Sequence, residues 1–222
     1  MFVHAPIEML PDVPTIEKHG KRFYVVGDKQ YPSITTILSD GDKPWVADWR
    51  NSLGHQKADK ETKRAADRGT AVHSMIEKML NNEESPSQGF NVSDVAEFNS
   101  LRVFLRKINN IITQETALWS DTLQIAGRVD CIGEYKGKLC VIDFKTSSNV
   151  KTAEIIKDYF MQVTAYSLMF QELYDIQIDD FVILMSVERG MVPMIFTGKV
   201  EDHIPDLLKK INTFHKKHGS KK

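Results

Sequence analysis

The sequence predicts an α/β fold: a central mixed β-sheet flanked by helices, with an irregular lobe at the N-terminus. Three observations predict it. Two stretches of helical periodicity precede a strand-rich region, after which one helix, two more strand candidates and a last helix follow. A Lys136-Gly137 turn joins two runs of β-formers as an antiparallel hairpin. Pro6, Pro11, Pro14, Pro32 and Pro44 break up the first 55 residues, where only the short β-like runs KRFYVV and YPSITTIL stand out.

Taken in order, the first helix starts near Lys57, because Ala65, Val72, Met75, Ile76, Met79 and Leu80 keep a period near 3.6. SPSQGF is a loop. The steps between Val95, Phe98, Leu101, Phe104, Leu105 and Ile108 predict a second helix from about Val92 to Ile112. The hairpin occupies residues 115–148, and EIIKDYFMQVTAYSLMFQELY is an amphipathic helix. IDDFVILMSV and MVPMIFTGKV read as strands joined at Arg189-Gly190, and a last helix begins near Glu201. One domain is expected over residues 1–222, with the lobe at 1–56, the core at 57–200 and a C-terminal helix and Lys-rich tail at 201–222.

Composition sets limits. With 41% hydrophobic and 27% charged residues among 222, the chain can bury a substantial core and is a poor candidate for a disordered tail or coiled coil. The net charge of -1 hides an asymmetry: residues 209–222 hold six Lys and no acid, leaving 23 basic and 30 acidic side chains, net -7, in residues 1–208. Cys131 and Cys140 are the only cysteines and lie in apolar, strand-like segments, so a disulfide framework is not expected and a four-cysteine iron–sulfur cluster is excluded. No apolar run approaches the roughly 20 residues of a membrane span, and the first residues lack a basic n-region or Arg-rich presequence, so a cytoplasmic protein without membrane contact is expected. There is no GxxxxGK[ST] phosphate loop.

The hairpin carries the chemistry. If Lys136 and Gly137 form a two-residue turn, opposed residues have numbers summing to 273, so Tyr135 faces Lys138 and Asp130 faces Asp143. Alternation puts Lys145 and Arg128 on the same face, with Val129, Cys131, Ile142 and Phe144 on the other. Two carboxylates roughly 4.5 to 5.5 Å apart at Cβ repel when both are ionised, and a cation between them relieves the repulsion. The pair reads equally as a salt-bridge cluster with Arg128 and Lys145.

Asp130 followed by Asp143-Phe144-Lys145 resembles the D…(D/E)xK core of the PD-(D/E)xK nuclease superfamily. Gly69-Thr70-Ala71-Val72-His73 resembles the GxxxH motif of its RecB-type exonuclease branch, GRVD resembles the first-aspartate strand, and Gln162-Val163-Thr164-Ala165-Tyr166 resembles its QxxxY helix. The four occur in the expected order over about residues 64–170. YPSITTIL followed by tryptophans is further similar to the mitochondrial genome maintenance exonuclease group and its phage-encoded relatives. The chain departs from cluster-bearing and helicase-fused branches, having neither four cysteines nor a helicase.

The resemblance implies a restriction-endonuclease-like core and a divalent ion, Mg²⁺ or Mn²⁺, held by His73, Asp130, Asp143 and the backbone carbonyl of Phe144, with Lys145 orienting water or balancing charge. It implies substrate contacts by Gln162 and Tyr166, although Tyr166 also fits the core stripe of that helix. Thr146 and Ser147 could donate hydroxyls to phosphate or simply end the strand. Glu115 stands where the family often has an acid, and reads equally as a helix-end charge. Glu77, one turn after His73, either bonds the imidazole or faces solvent. Lys57, Lys60, Arg64 and Arg68 form a basic helix face suited to a phosphate backbone, and Tyr31, Trp45 and Trp49 are candidates for stacking unpaired bases or for lobe core. The expected function is a metal-dependent exonuclease acting on single-stranded DNA ends in replication, recombination, repair or genome turnover. A structure-specific or restriction-type endonuclease and a non-catalytic DNA-binding module are the rivals.

Overall fold

The computed structural model describes residues 1–41, 44–188 and 192–218. Strands β1 (Thr15–Lys18), β2 (Lys21–Val26) and β3 (Lys29–Pro32) form an antiparallel sheet, followed by helices α1 (Ile34–Ser39), α2 (Pro44–Leu53), α3 (His55–Leu80) and α4 (Val92–Leu105). A five-stranded sheet then runs β4 (Ile108–Ser120), β5 (Ile125–Tyr135), β6 (Lys138–Ser147), β7 (Asp180–Val187) and β8 (Met194–Lys199) in that spatial order. Helix α5 (Lys157–Tyr174) makes the crossover that lets β6 and β7 pair in parallel, while every other pair is antiparallel. A 3₁₀ turn, Glu201–His203, leads into α6 (Ile204–His218). The expected α/β architecture with a mixed sheet is therefore present.

The sheet divides two cores. Phe160, Val163 and Phe170 of α5 pack with Leu207 and Phe214 of α6 and Ile34 of α1 on one side. Val72, Met75 and Leu80 of α3 pack with Phe98 and Leu101 of α4 on the other. Cys131 and Cys140 are free and buried on the α3/α4 side; burial raises both thiol pKa values, that of Cys140 to about 11. Among the described residues no helix is long and apolar enough to cross a membrane.

Three expectations need correction. The lobe is more regular than its prolines imply, because β2 alternates and both neighbours pair with it, Phe23 opposite Ile16 and Pro32. The second helix stops at Leu105 rather than near Ile112. Ile108 and Ile112 continue the helical spacing of α4, yet the Ile-Ile-Thr run favours a strand, and a register shift between Asn109 and Thr113 with Asn110 at φ 44 absorbs the change. The third correction concerns faces: Cys131, Ile142 and Phe144 share the α3/α4 core, but Val129 packs into the α5 core. The strand turns over at Asp130, next to Glu115, whose φ of 47 is left-handed. The Arg189-Gly190 turn lies outside the described residues.

Gly127 on β5 is required by close approach. A Cβ there would lie 2.7 Å from Tyr166 Cε1 and 3.1 Å from Ile34 Cγ2, and both side chains are buried. Gly127→Ala should destabilise the protein by about 1–3 kcal/mol through overpacking, measured as a lower denaturant midpoint with an unchanged m-value.

Candidate functional site

The hairpin has the expected register. Lys136 and Gly137 take φ 54 and 78, as a type I′ turn requires, and Tyr135 pairs with Lys138 and Cys131 with Ile142. Paired rungs end there, one residue short of Asp130 and Asp143. In place of the next rung, the Phe144 N–H donates to Asp130 Oδ2 at 2.7 Å. A side chain thus closes the gap where β5 turns over, and it fixes the Asp130 carboxylate beside β6.

Groups from both layers converge on that carboxylate. From α3, His73 Nδ1 lies 3.7 Å from Asp130 Oδ2, with its ring edge-on to Phe144 at 6.1 Å between centroids. From β4, Glu115 completes a trio with His73 and Asp130 whose ligand atoms all lie within 4.8 Å of one another. Burial, reinforced by the Asp130 charge, pushes Glu115 up to about 7; half-buried Glu77 adds to that push and the His73 charge opposes it. Of the two readings open for Glu115, the structure supports the site acid. Its left-handed backbone aims the side chain here, a conformation the sequence does not announce.

Asp143 is fully buried, and Lys145 Nζ approaches its Oδ2 at 2.6 Å. That ammonium is the partner of Oδ2. The other Asp143 oxygen accepts only a long bond, 3.4 Å, from Gln162 Nε2, which also donates to the Tyr166 hydroxyl at 2.9 Å. Burial raises Asp143 to about 6 despite the ammonium beside it. The same burial works against charge on Lys145, but the carboxylates of Asp143 and Asp130 outweigh it and hold Lys145 above its ordinary value. Lys145 also sits 5.1 Å over the Tyr159 ring.

Of these groups, all but Glu77, Tyr159 and the buried Asp143 and Phe144 line a cavity of about 270 Å³. His73, Glu115, Asp130, Lys145, Gln162 and Tyr166 line it together with Arg22, Tyr24, Ser33 and Thr35 of the lobe. The lobe residues were not among the sequence candidates, although the alternation in KRFYVV puts Arg22 and Tyr24 on one face. Tyr166 is core and cavity wall at once, 2% exposed. Arg128 lines the wall but is held by Asp12 at 2.8 Å and by the Glu115 carbonyl, not by the aspartate pair.

Other candidates sit elsewhere. Ser147 Oγ closes its own turn by donating to the Asn149 carbonyl at 2.7 Å, and Thr146 lies against Gly69 of α3. The Arg68 side chain is 6% exposed and is held by Glu188, by Glu97 at 3.6 Å and by Ser148 at 3.4 Å. Arg64 pairs with Glu188 at 2.5 Å and with Glu61 at 2.9 Å. Arg64 and Arg68 of the basic α3 face are therefore neutralised, whereas Lys57 and Lys60 are exposed, and Arg68 ties α3 to α4 and to the ends of β6 and β7. Tyr31 is buried and donates to Asp121, whereas Trp49 is 37% exposed and lines a separate depression with Arg64 and Ser148. The Trp45 side chain lies outside the described residues.

The donor set of His73, Glu115 and Asp130, two carboxylates with one imidazole, fits a divalent cation. The model of the PD-(D/E)XK nuclease superfamily matches residues 95–192, which contain all of these groups but His73. Among curated proteins the chain is similar to mitochondrial genome maintenance exonuclease 1, at 27% identity to the Mus musculus protein over 172 residues and 28% to the Homo sapiens protein over 171. Both alignments cover 72% of this chain, which spans about half the length of those relatives. Among solved structures, that of SSO0001 aligns with 82% of this chain and 74% of its own, at 16% identity and a TM-score of 0.43.

Glu188 gives a pH test of the α3 anchor. Hydrogen bonds from Arg64, and after them Arg68, hold its pKa at about 2 against burial, below the ordinary 4.5. A lowered folded-state value means the contribution is complete above about 4.5 and is lost as pH falls towards 2. Glu188→Gln should therefore be less stable than wild type at neutral pH, with the gap in unfolding midpoint closing as pH is lowered through that window.

Proposed function

We propose that this protein is a metal-dependent DNA exonuclease that hydrolyses phosphodiester bonds from single-stranded ends, and that the whole chain works as one nuclease unit. The convergence of His73, Glu115 and Asp130 beside the buried Asp143–Lys145 pair carries this reading. The names of the curated relatives support exonuclease over endonuclease action. The wider role lies in DNA replication, recombination, repair or genome turnover.

His73, Asp130, Asp143 and the Phe144 carbonyl would hold the ion, with Glu115 as a further ligand. A bound Mg²⁺ or Mn²⁺ supplies charge to polarise a phosphate oxygen and acidify a water. Asp130 is held in place for this by the Phe144 N–H. Lys145 carries a positive charge at the inner wall, where it can orient a water or balance charge developing on the phosphate. Gln162 braces Asp143 and Tyr166 from the α5 side. Arg22, Ser33 and Thr35 are placed to meet phosphate oxygens across the cavity. Neither Thr146, packed against Gly69, nor Ser147, whose hydroxyl is occupied, lines the cavity. Arg68 acts by anchoring the His73 helix.

Purified protein should degrade linear single-stranded DNA with Mg²⁺ or Mn²⁺ and leave covalently closed single-stranded circles intact. Lys145→Ala and Asp143→Asn should each lose at least about 100-fold in rate, with folding checked by thermal unfolding. Cleavage of circles would favour the endonuclease; DNA binding with no cleavage under any divalent ion would favour a non-catalytic module.

A further inference from the structure

The last turns of α6, which the catalytic cavity does not use, supply Phe214, His215 and His218 to the wall of a second basin. The basin has a volume of about 940 Å³ and lies between the lobe sheet, the β4–β5 turn and the last turns of α6. Lys18, His19, Lys21, Lys29, His215 and His218 line it, and Asp121 is the one acid among the lining residues. Alternation along β2 explains its position: Arg22 and Tyr24 line the catalytic cavity, while Lys21 and Phe23 line the basin. The lobe sheet separates two anion-facing surfaces.

The charges are more available here than those of Arg64 and Arg68 on α3. Lys18 Nζ bonds the neutral Gln30 amide, which leaves its charge uncompensated. Lys29 shares Asp121 at 3.1 Å with both side chains more than half exposed, a pairing that water screens heavily. At the rim, Asp40 is shared among Lys21, Lys217 and His218. Two acids thus stand against four lysines before any histidine is counted, within a body that is otherwise acidic. Phe23 and Phe214 supply an apolar floor, with Lys21 Nζ 5.1 Å above the Phe214 ring.

We infer that this basin is a second binding surface for the phosphodiester backbone of DNA, engaging a part of the substrate beyond the nucleotides in the catalytic cavity. The inference rests on the nuclease reading, which identifies the polyanion. Cations beside an aromatic floor suit a flexible single strand.

The test is DNA affinity of the full chain against salt concentration, by fluorescence anisotropy on a single-stranded oligonucleotide of roughly 30 nucleotides, long enough to reach beyond one site. For Lys18→Ala/Lys29→Ala the slope of log affinity against log salt should become shallower by about 1.4, from about 0.7 per lost contact. Asp121→Asn, which frees Lys29, should bind more tightly than wild type. Unfolding midpoints of both variants establish that they fold. A slope unchanged in the folded double variant overturns the basin while leaving the nuclease reading intact, provided wild type still cleaves DNA. Weakened heparin binding with unchanged DNA binding also overturns it.

Discussion

Everything at the cleft depends on one hydrogen bond, from the Phe144 N–H to the Asp130 carboxylate. It forms where backbone pairing between β5 and β6 gives out and β5 turns over, so a side chain does the work of a sheet rung. Without it, a buried N–H would be orphaned and an acid would be free to rotate into solvent. With it, Asp130 stands at a fixed place against β6, and groups from α3, β4 and the lobe can be arranged around it. The turning of β5 also explains why Val129 and Cys131 feed different cores although they are two apart.

The second constraint is the charge on β6. Asp143 has no exposure, which is an expensive state for a carboxylate. Lys145, 2.6 Å from its Oδ2, answers the charge. Such a pair is poorly explained as a stabilising salt bridge, because an apolar pair of similar volume would serve stability as well.

Local chemistry made much of this readable. The Lys136-Gly137 turn fixed the register, and that register put Asp130 and Asp143 at the same level; the steps of α3 placed His73 on the helix that reaches them. What could not be read depends on distant partners. Nothing near Arg68 in sequence shows that Glu97 and Glu188 will bury it, and the basic stripe on α3 looks free until those acids arrive from α4 and the end of β7. Glu115 needed a left-handed backbone, and the lobe residues needed the docking of one sheet against another through the bridge of Ser33 to Ala126. The lobe strands themselves were hidden by prolines, which sheet edges and strand ends tolerate. Charge, too, was a matter of placement, since Glu97 and Glu188 neutralise arginines that the sequence leaves looking free.

Cys131 lies next to Asp130 on the strand that turns over, and Cys140 lies beyond it on β6, both as buried thiols in the absence of any disulfide. The chain therefore carries two natural clocks for the opening of its own sheet. A thiol reagent can reach these buried sulfurs only when their surroundings open, so the alkylation rate records local unfolding at β5 and β6 without an engineered probe. Comparing that rate with and without a divalent ion would report directly how firmly the two halves of the cleft are held together.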